Sequence, residues 1–374
     1  MKEKSLNVIT AIARTIFGAV CIFSGFVKAI DPLGTAYKIE DYLNAFGGIF
    51  PNFTWIALPA SIALSMFEFA LGCSLLFNLK HKLTSWLAFI FMLFMTALTL
   101  YIALENPVSD CGCFGDAIVL DNWTTFYKNI VLLALAIWLV ATQRYAKTWF
   151  VNWVEWTGMA FFCLVSIVIS IVCLCHLPFM DFRPYKVGTD IEKSMEIPEG
   201  APADEYHITF IYEKDGHQQE FTLENYPKDD STWTFVDQKS VLVKQGYVPP
   251  IHDFSITDAN FDDITYDVLD YEGYTILAIM YDLEKTNIKQ AQRLNQLYTD
   301  AQQKGYMFYA LTGSESTIVD EFVEQTGAEY PFCGTDPITL KTIVRANPGI
   351  VLLKDGVIVG KWNMRDVKND KIFR

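Results

Sequence analysis

The stretch "TSWLAFIFMLFMTALTLYIAL" (residues 84–104) contains no charged side chain. A helix needs about 20 consecutive apolar residues to cross the roughly 30 Å hydrocarbon core of a bilayer. A helix on the surface of a soluble protein would instead carry polar residues along one face. The stretch therefore predicts a transmembrane helix, and this prediction decides how the rest of the chain is interpreted.

Four further segments have the same character: "LNVITAIARTIFGAVCIFSGFVKAI" (6–30), "IALPASIALSMFEFALGCSLLF" (56–77), "FYKNIVLLALAIWLVAT" (126–142) and "TGMAFFCLVSIVISIVCLCHL" (157–177). The first is too long for the apolar part of a signal peptide and lacks a small-x-small cleavage site, so we interpret it as a retained span. We expect five transmembrane helices: a four-helix membrane domain over 1–145 and a fifth helix within 146–180.

Charge divides the chain into two parts. Through His176, ten Lys and Arg residues balance ten Asp and Glu residues, whereas the remainder holds 19 basic and 33 acidic residues and accounts for the net charge of −14. A neutral apolar part joined to an acidic part is typical of a membrane domain with an extramembrane module. The acidity argues against a nucleic-acid partner, because it would repel phosphate.

The distribution of basic residues predicts the orientation. With a cytoplasmic N-terminus, the inside positions hold Lys2, Lys4, Lys80, Lys82, Arg144 and Lys147. The connections on the other side hold little beyond Lys38. This positive-inside bias predicts a multi-pass protein of the bacterial inner membrane whose C-terminal part is periplasmic. The loop "NPVSDCGCFGDAIVLDN" (106–122) then lies on the same, oxidising side.

The C-terminal part has two patterns. Residues 181–245 read as a linker followed by a β-rich segment, in which "YHITFIYEKDGHQQEFTL" (206–223) alternates around a hairpin turn at Asp215-Gly216. Residues 246–374 alternate strand and helix: "YTILAIMYDL" (274–283), "KTNIKQAQRLNQLYTDAQQKG" (285–305), "YMFYALTG" (306–313), a helix that Ser314 should cap, "PITLKTIVRA" (337–346), and a closing hairpin at Asp355-Gly356. This order predicts a mixed sheet with helices on both faces.

The order of elements, the segment "GYVPPIHDFSITD" (246–258) and the position of Pro348 resemble a thioredoxin-like domain of the peroxiredoxin/TlpA type. The resemblance implies that Pro348 is a cis-proline beside the site that is catalytic in the family. The chain departs from the family at one decisive place. The segment "YDLEKTN" (281–287), where the family carries its nucleophile, has no cysteine. We therefore expect the fold without the usual CxxC chemistry.

The membrane part also resembles a known group. The stretches "RTIFGAVCIFSGFVKAIDPLGTAYKIEDYLNAFG" (14–47), "SMFEFALG" around Glu68 and "DCGCFGD" (110–116) are similar to the DoxX-like superfamily, and most closely to the MauE family. The resemblance covers about 1–145. It implies a membrane protein of a group associated with disulfide formation and quinone-linked redox processes.

Cys111 and Cys113 allow three interpretations. As a redox pair, a bridge across one glycine would be strained and therefore readily reduced. As a structural disulfide, it would close almost no chain and contribute little loop entropy. As a metal site, the pair would lack a second Cys or His pair at finger spacing. We favour the redox pair, with Gly112 supplying the backbone freedom, and expect no metal. Asp110 and Asp116 should disfavour a thiolate here.

Other residues are weaker candidates. Cys173 and Cys175, at the end of the fifth span, are either apolar fillers or second thiols able to meet Cys111 or Cys113. Cys333 is either a buried free thiol or a lone reactive one. Charges inside spans are costly and are usually paired or functional. Arg14 and Glu68 therefore form either a buried pair or a polar site for a quinone or protons. Lys28, at the end of its span, should extend toward the interface.

We therefore expect a membrane thiol-disulfide redox protein. Cys111 and Cys113 would exchange electrons with a periplasmic protein that has reactive cysteines, and pass them to a membrane quinone. The C-terminal domain would recruit that partner, and membrane lipid would surround the spans. The alternative is an assembly or scaffold subunit with a structural loop disulfide. A transporter built around Arg14 and Glu68 is a third possibility.

Overall fold

A computed structural model describes residues 2–108, 110–145, 148–228, 230–244 and 246–373. It has a helical N-terminal region followed by a β-containing C-terminal region, as the sequence predicts. Of the basic residues used to predict orientation, Lys147 lies outside the described residues.

Five of the N-terminal helices are long and apolar enough to cross a membrane. They are α1 (Lys2–Ile30), α3 (Ala57–Leu76, preceded by a 3-10 turn at Phe50–Ile56), α4 (His81–Glu105), α5 (Asn122–Thr142) and α6 (Asn152–Cys175). A further helix, α2 (Pro32–Phe46), was not predicted as a separate element. The Asp31 side chain caps its first turn by accepting a hydrogen bond from the Gly34 backbone N–H.

Helices α1 and α3 approach each other through glycines. A Cβ atom added to Gly25 would lie 2.4 Å from the Phe69 nitrogen, and one added to Gly72 would lie 2.6 Å from the Ile22 nitrogen. Small residues at a helix interface allow such close backbone approach in a membrane. This contact brings the polar face at the end of α1 against the middle of α3, where the candidate site lies.

A small antiparallel sheet follows the membrane part. Its strands are β1 (Glu205–Lys214), β2 (His217–Thr222) and β3 (Thr234–Lys244), in the order β2-β1-β3. The hairpin turn at Asp215-Gly216 is confirmed. Strand β3 is exposed along its whole length, so this sheet buries little of its surface.

The second sheet has five strands in the order β6-β5-β4-β7-β8. They are β4 (Tyr274–Ile279), β5 (Met307–Thr312), β6 (Phe332–Gly334), β7 (Gly349–Lys354) and β8 (Val357–Asn363). Strands β4, β5 and β6 are parallel, whereas β7 and β8 run antiparallel to their neighbours. Such a mixed sheet, with helices on both faces and a cis Asn347–Pro348 bond immediately before β7, has the thioredoxin-like arrangement that the sequence predicts.

Alternating residues of β4 supply two cores. Ile276 and Ala278 face one, which α9 (Ile288–Gln303) and α10 (Ser316–Thr326) cover. Leu277 and Ile279 face the other, which contains residues of α8 (Thr265–Leu269) and α11 (Pro337–Ile343). Two short helices, α7 (Ile191–Met195) and α12 (Asn369–Ile372), complete the fold.

Two local expectations differ from the structure. Ser314 does not cap α10; Glu315 occupies the cap position, and the Ser314 hydroxyl accepts a hydrogen bond from the Leu283 backbone N–H instead. The predicted linker is also partly ordered, because Tyr185 and Ile191 are buried in the α8–α11 core. The start of residues 181–245 therefore packs as part of the thioredoxin-like domain.

Candidate functional site: a dithiol loop above a buried ion pair

Cys111 and Cys113 lie in the loop between α4 and α5 with their Sγ atoms 3.0 Å apart, as free thiols. Gly112 between them adopts φ +63°, a conformation that glycine reaches without a steric penalty. This tight turn brings the two side chains to the same side of the loop. The pair is therefore placed to form or release a disulfide through a small side-chain movement.

Residues of α2 and of the loop itself hold the dithiol. The Lys38 ammonium lies 2.7 Å from an Asp110 carboxylate oxygen, and the other Asp110 oxygen accepts a hydrogen bond from the Gly112 N–H. The Tyr42 hydroxyl donates to the Cys111 carbonyl at 2.8 Å. Because a lysine neutralises Asp110, its charge opposes a thiolate less than the sequence predicts.

A buried ion pair lies directly beneath Cys113. The Lys28 ammonium is 2.8 Å from Glu68 Oε2, and the two side chains are only 4% and 5% exposed. Lys28 also donates to the Cys113 carbonyl at 2.6 Å and to the Ser24 hydroxyl at 2.6 Å. Ser24 can in turn donate to Glu68 or to the Cys113 carbonyl. This network joins the middle of α3 to the backbone of the dithiol loop.

This arrangement corrects two predictions. Lys28 does not extend toward the interface, because Glu68, Ser24 and the loop carbonyl satisfy its ammonium inside the bundle. Arg14 does not pair with Glu68. Its guanidinium donates to Asn78 and lies 4.9 Å from the centre of the Trp149 ring, at the opposite end of α1.

The surroundings favour a thiolate at Cys113 over one at Cys111. The pKa of Cys113 lies below its usual range, chiefly because the Cys111 thiol donates a hydrogen bond to it. Lys128 and Lys28 lower this pKa further, while burial opposes them. The same hydrogen bond, together with burial, raises the pKa of Cys111. Within the pair, the surroundings therefore favour Cys113 over Cys111 as the sulfur that carries the negative charge.

A cavity of about 30 Å³ lies below Cys113 and Phe114, between α1, α3, α4 and α5. Its wall combines apolar side chains such as Phe91 and Met92 with polar groups from Glu68 and Lys128. The volume holds only one or two waters, so a quinone does not fit the cavity in this conformation.

The thioredoxin-like domain contacts the membrane domain through the edge that contains residues 281–287 and the segment before Pro348. Tyr281, in the segment without cysteine, has its hydroxyl 3.5 Å from that of Tyr37 on α2. Arg345, three residues before Pro348, is 6% exposed; it lies 2.9 Å from Asp31 and 3.1 Å from Asp116. This arginine therefore connects the thioredoxin-like domain to both the cap of α2 and the dithiol loop.

Three other candidate cysteines lie in other elements of the fold. Cys173 is buried on α6, and Cys175 lines a separate cavity between α6 and the thioredoxin-like domain. Cys333 is buried in a sheet core, and burial raises its pKa to about 11. Among the described residues, the thiol contact of the site is the one between Cys111 and Cys113, and a meeting of Cys173 or Cys175 with this pair stays a prediction.

Sequence reasoning missed three residues of the site. Lys28 was assigned to the interface, although its position one turn after Ser24 could have indicated a shared polar face. Lys128 lies 4.3 Å above the Phe114 ring and was overlooked at the start of the fourth span. Arg345 carried no local signal, because its two carboxylate partners, Asp31 and Asp116, are more than 200 positions away.

Comparison with protein families gives two matches. Residues 6–142 match the family described as methylamine utilisation protein MauE. Residues 206–245, a range that includes nearly all of the small antiparallel sheet, match a family described as a domain of unknown function, DUF8463. A search of curated proteins finds no significant match.

Solved structures similar to part of the chain include two thioredoxin-like proteins. One is a candidate protein disulfide isomerase from Bacteroides thetaiotaomicron, 16% identical, which covers 31% of this chain and 77% of its own, with a TM-score of 0.26. The other is the thioredoxin domain of a thiol-disulfide oxidoreductase from Bacteroides vulgatus, 14% identical, covering 32% and 87%, also with a TM-score of 0.26.

Proposed function

With a MauE-type membrane domain joined to a thioredoxin-like domain as the premise, we propose that this protein is a membrane thiol-disulfide oxidoreductase. The observation that supports the proposal most is the Cys111–Cys113 dithiol, held 3.0 Å apart above the buried Lys28–Glu68 pair. A purely structural loop would not need a lowered thiol pKa and a charged network beneath it.

The proposed reaction transfers two electrons. In the oxidised form, a thiolate of the partner protein attacks the Cys111–Cys113 disulfide and forms a mixed disulfide with one cysteine. A second partner thiolate then attacks the mixed disulfide, so the partner leaves oxidised and both loop cysteines become thiols. The cations near Cys113 stabilise it as the leaving thiolate in the first step.

Regeneration requires an oxidant, and we propose a membrane quinone as its chemical class. Two electrons and two protons leave the dithiol as the disulfide re-forms. Glu68, Ser24 and Lys28 form a hydrogen-bonded chain beneath the dithiol that can hold and move a proton. Because the cavity below Cys113 is too small for a quinone ring, these residues would not bind the quinone. Their proposed roles are to handle protons and to stabilise the thiolate.

The proposed place is the bacterial inner membrane, with the dithiol loop and the thioredoxin-like domain in the periplasm. Partner proteins with reactive cysteines would approach the dithiol from this side. The thioredoxin-like domain docks on α2 through Tyr281 and Arg345. We therefore assign it a role in holding the dithiol loop, beside the recruitment or positioning of the partner.

Thiol trapping in membranes tests the proposal. We expect Cys111 and Cys113 of the wild type to shift between thiol and disulfide when a reduced partner peptide and a soluble quinone are supplied in turn. The Cys111→Ser variant should lose the cycle at unchanged abundance, while Cys333→Ser should retain it. A pair locked in one state under mild reductant would contradict the proposal.

A scaffold function is the second candidate, and one observation favours it. The edge of the thioredoxin-like domain that is catalytic in its family carries no cysteine over 281–287 and is occupied by α2. In that case Cys111→Ser should lower the amount of an associated membrane complex without changing the redox state of any partner.

A further inference from the structure

A second, larger cavity lies between the membrane domain and the thioredoxin-like domain. Its volume is about 310 Å³. Leu33 at the start of α2 and Leu174 and Cys175 at the end of α6 form its membrane-facing wall, and the thioredoxin-like domain forms the other walls. It lies where α1 and α6 end, which in a membrane protein is the level of the lipid headgroups.

The polar lining of this cavity is cationic. Lys285, Arg345 and Arg365 line it, and none of the described lining residues is acidic. This is unusual in a chain with a net charge of −14. Arg345 is bound to two aspartates and Lys285 to Asp282, but the Arg365 guanidinium has a backbone carbonyl, that of Cys175, at 3.5 Å.

Amide side chains complete the polar lining. They belong to Asn287, Gln290, Asn347 and Asn363. Amides donate hydrogen bonds to phosphate and ester oxygens and accept them from hydroxyl groups. Asn347 and Asn363 donate to backbone carbonyls. Asn287 and Gln290 are therefore the amides that, with the guanidinium and ammonium groups, match an anionic phosphate.

An apolar path connects the cavity to the bilayer. Leu164, Val168 and Ile171 are exposed on α6, and their spacing of four and three residues places them on one face. The same spacing continues to Leu174 and Cys175, which line the cavity. A molecule in the cavity can therefore extend along the surface of α6 that faces lipid.

We propose that this interdomain cavity binds an anionic phospholipid, with its phosphate headgroup near Arg365 and Lys285 and an acyl chain along the Leu164–Ile171 face of α6. Free phosphate would bind the same cations, but it has no acyl chain to contact the apolar face of α6. The bound lipid would fill the space between the two domains and stabilise their contact.

Lipid retention by the full-length protein tests this site. The protein is extracted in mild detergent, incubated with either phosphatidylglycerol or phosphatidylcholine of identical acyl chains, and examined by native mass spectrometry. We expect the wild type to retain one phosphatidylglycerol, and the Lys285→Gln/Arg365→Gln variant to bind it at least about tenfold more weakly. Both side chains lie at the surface of the cavity, so the fold should persist.

The matched control is Lys304→Gln/Lys354→Gln. Lys304 lies at the C-terminal end of α9 and Lys354 at the C-terminal end of β7, whereas the cavity lies at the N-terminal ends of both elements. Each lysine lies over an aromatic ring. It should retain the lipid like the wild type. Equal retention by the cavity variant, or equal retention of phosphatidylcholine, would overturn the proposal. Displacement of the lipid by millimolar inorganic phosphate would also overturn it and indicate a site for a free anion.

Discussion

Cys111 and Cys113 are chemically identical in the sequence but different in the structure. Cys113 accepts a hydrogen bond from Cys111 and lies near two lysines, so its pKa is lowered. The same hydrogen bond, together with burial, raises the pKa of Cys111. A thiolate reacts faster than a thiol, so the two residues should react with electrophiles at different rates.

Alkylation of the reduced protein as a function of pH measures this difference. We expect Cys113 to react with a midpoint below the ordinary thiol pKa of about 8.5, because its thiolate persists to lower pH. In Cys111→Ala the hydrogen bond is lost, so the midpoint should move to higher pH. Cys333→Ala is the control and should leave it unchanged. An unchanged midpoint in Cys111→Ala would show that the hydrogen bond does not set this pKa.

Removal of one partner of the Lys28–Glu68 pair should lower stability more than removal of both partners. Removing one partner of a buried pair leaves an uncompensated charge and typically costs about 3–5 kcal/mol. We expect Lys28→Met to lower the free energy of unfolding in detergent by about this amount. The double variant Lys28→Met/Glu68→Leu should recover much of the loss, since it removes both charges.

The control for this prediction is Lys82→Met, because Lys82 is exposed. It should change the unfolding free energy by less than about 0.5 kcal/mol. If Lys28→Met were as mild as the control, the pair would not be a buried, mutually dependent unit. If the double variant lost as much as the two single variants together, the residues would act independently.

At the scale of secondary-structure elements, the position of the dithiol loop depends on α2 and on the segment before β7. Arg345 is the point where they meet, because its planar guanidinium reaches Asp31 on one side and Asp116 on the other. A lysine carries the same charge but lacks this fork of donors. The arginine therefore restrains the loop by geometry as well as by charge.

Hydrogen exchange of the loop tests this restraint. We expect Arg345→Lys to increase amide exchange over residues 110–117 and to slow disulfide formation between Cys111 and Cys113, with unchanged exchange in β4. Arg345→Gln should have a larger effect, because it removes the guanidinium charge from both Asp31 and Asp116. Lys354→Gln, at the far end of β7, should behave like the wild type. Unaltered loop exchange in both Arg345 variants would rule out the restraint.

For the whole molecule, the orientation of the five spans decides which compartment the dithiol faces. Lys80 and Lys82 lie on one side, whereas Lys38, the dithiol loop and the C-terminal domain lie on the other. Because basic residues are retained in the cytoplasm, the dithiol side should be periplasmic.

Reporter fusions in a bacterial host test the orientation. Alkaline phosphatase fused after the thioredoxin-like domain should be active, because it folds only in an oxidising compartment, and the same enzyme fused after Lys82 should be inactive. A fluorescent protein that folds only in the cytoplasm should give the reverse pattern. The opposite pattern for both reporters would place the dithiol in the cytoplasm and remove the periplasmic part of the proposal.

The sequence by itself determined the features that depend on neighbouring residues. Five spans follow from continuous apolar segments. The small sheet follows from the alternation around the turn at Asp215-Gly216, and the thioredoxin-like sheet follows from alternating strands and helices and the turn at Asp355-Gly356. The Cys-Gly-Cys loop was also recognisable as a candidate redox pair, because its two cysteines are separated by one glycine. These signals are local, and local hydrophobicity and turn chemistry are sufficient to produce them.

Only the tertiary structure decided which charges meet. The sequence offered Arg14 as a partner for Glu68 and placed Lys28 at the interface, whereas the close contact of α1 with α3 through glycines brings Lys28 to Glu68. Arg345 reaches the dithiol loop only because the thioredoxin-like domain folds back onto α2. Charge pairing depends on distances of a few ångströms between residues far apart in the chain, and those distances are fixed only when helices and domains pack.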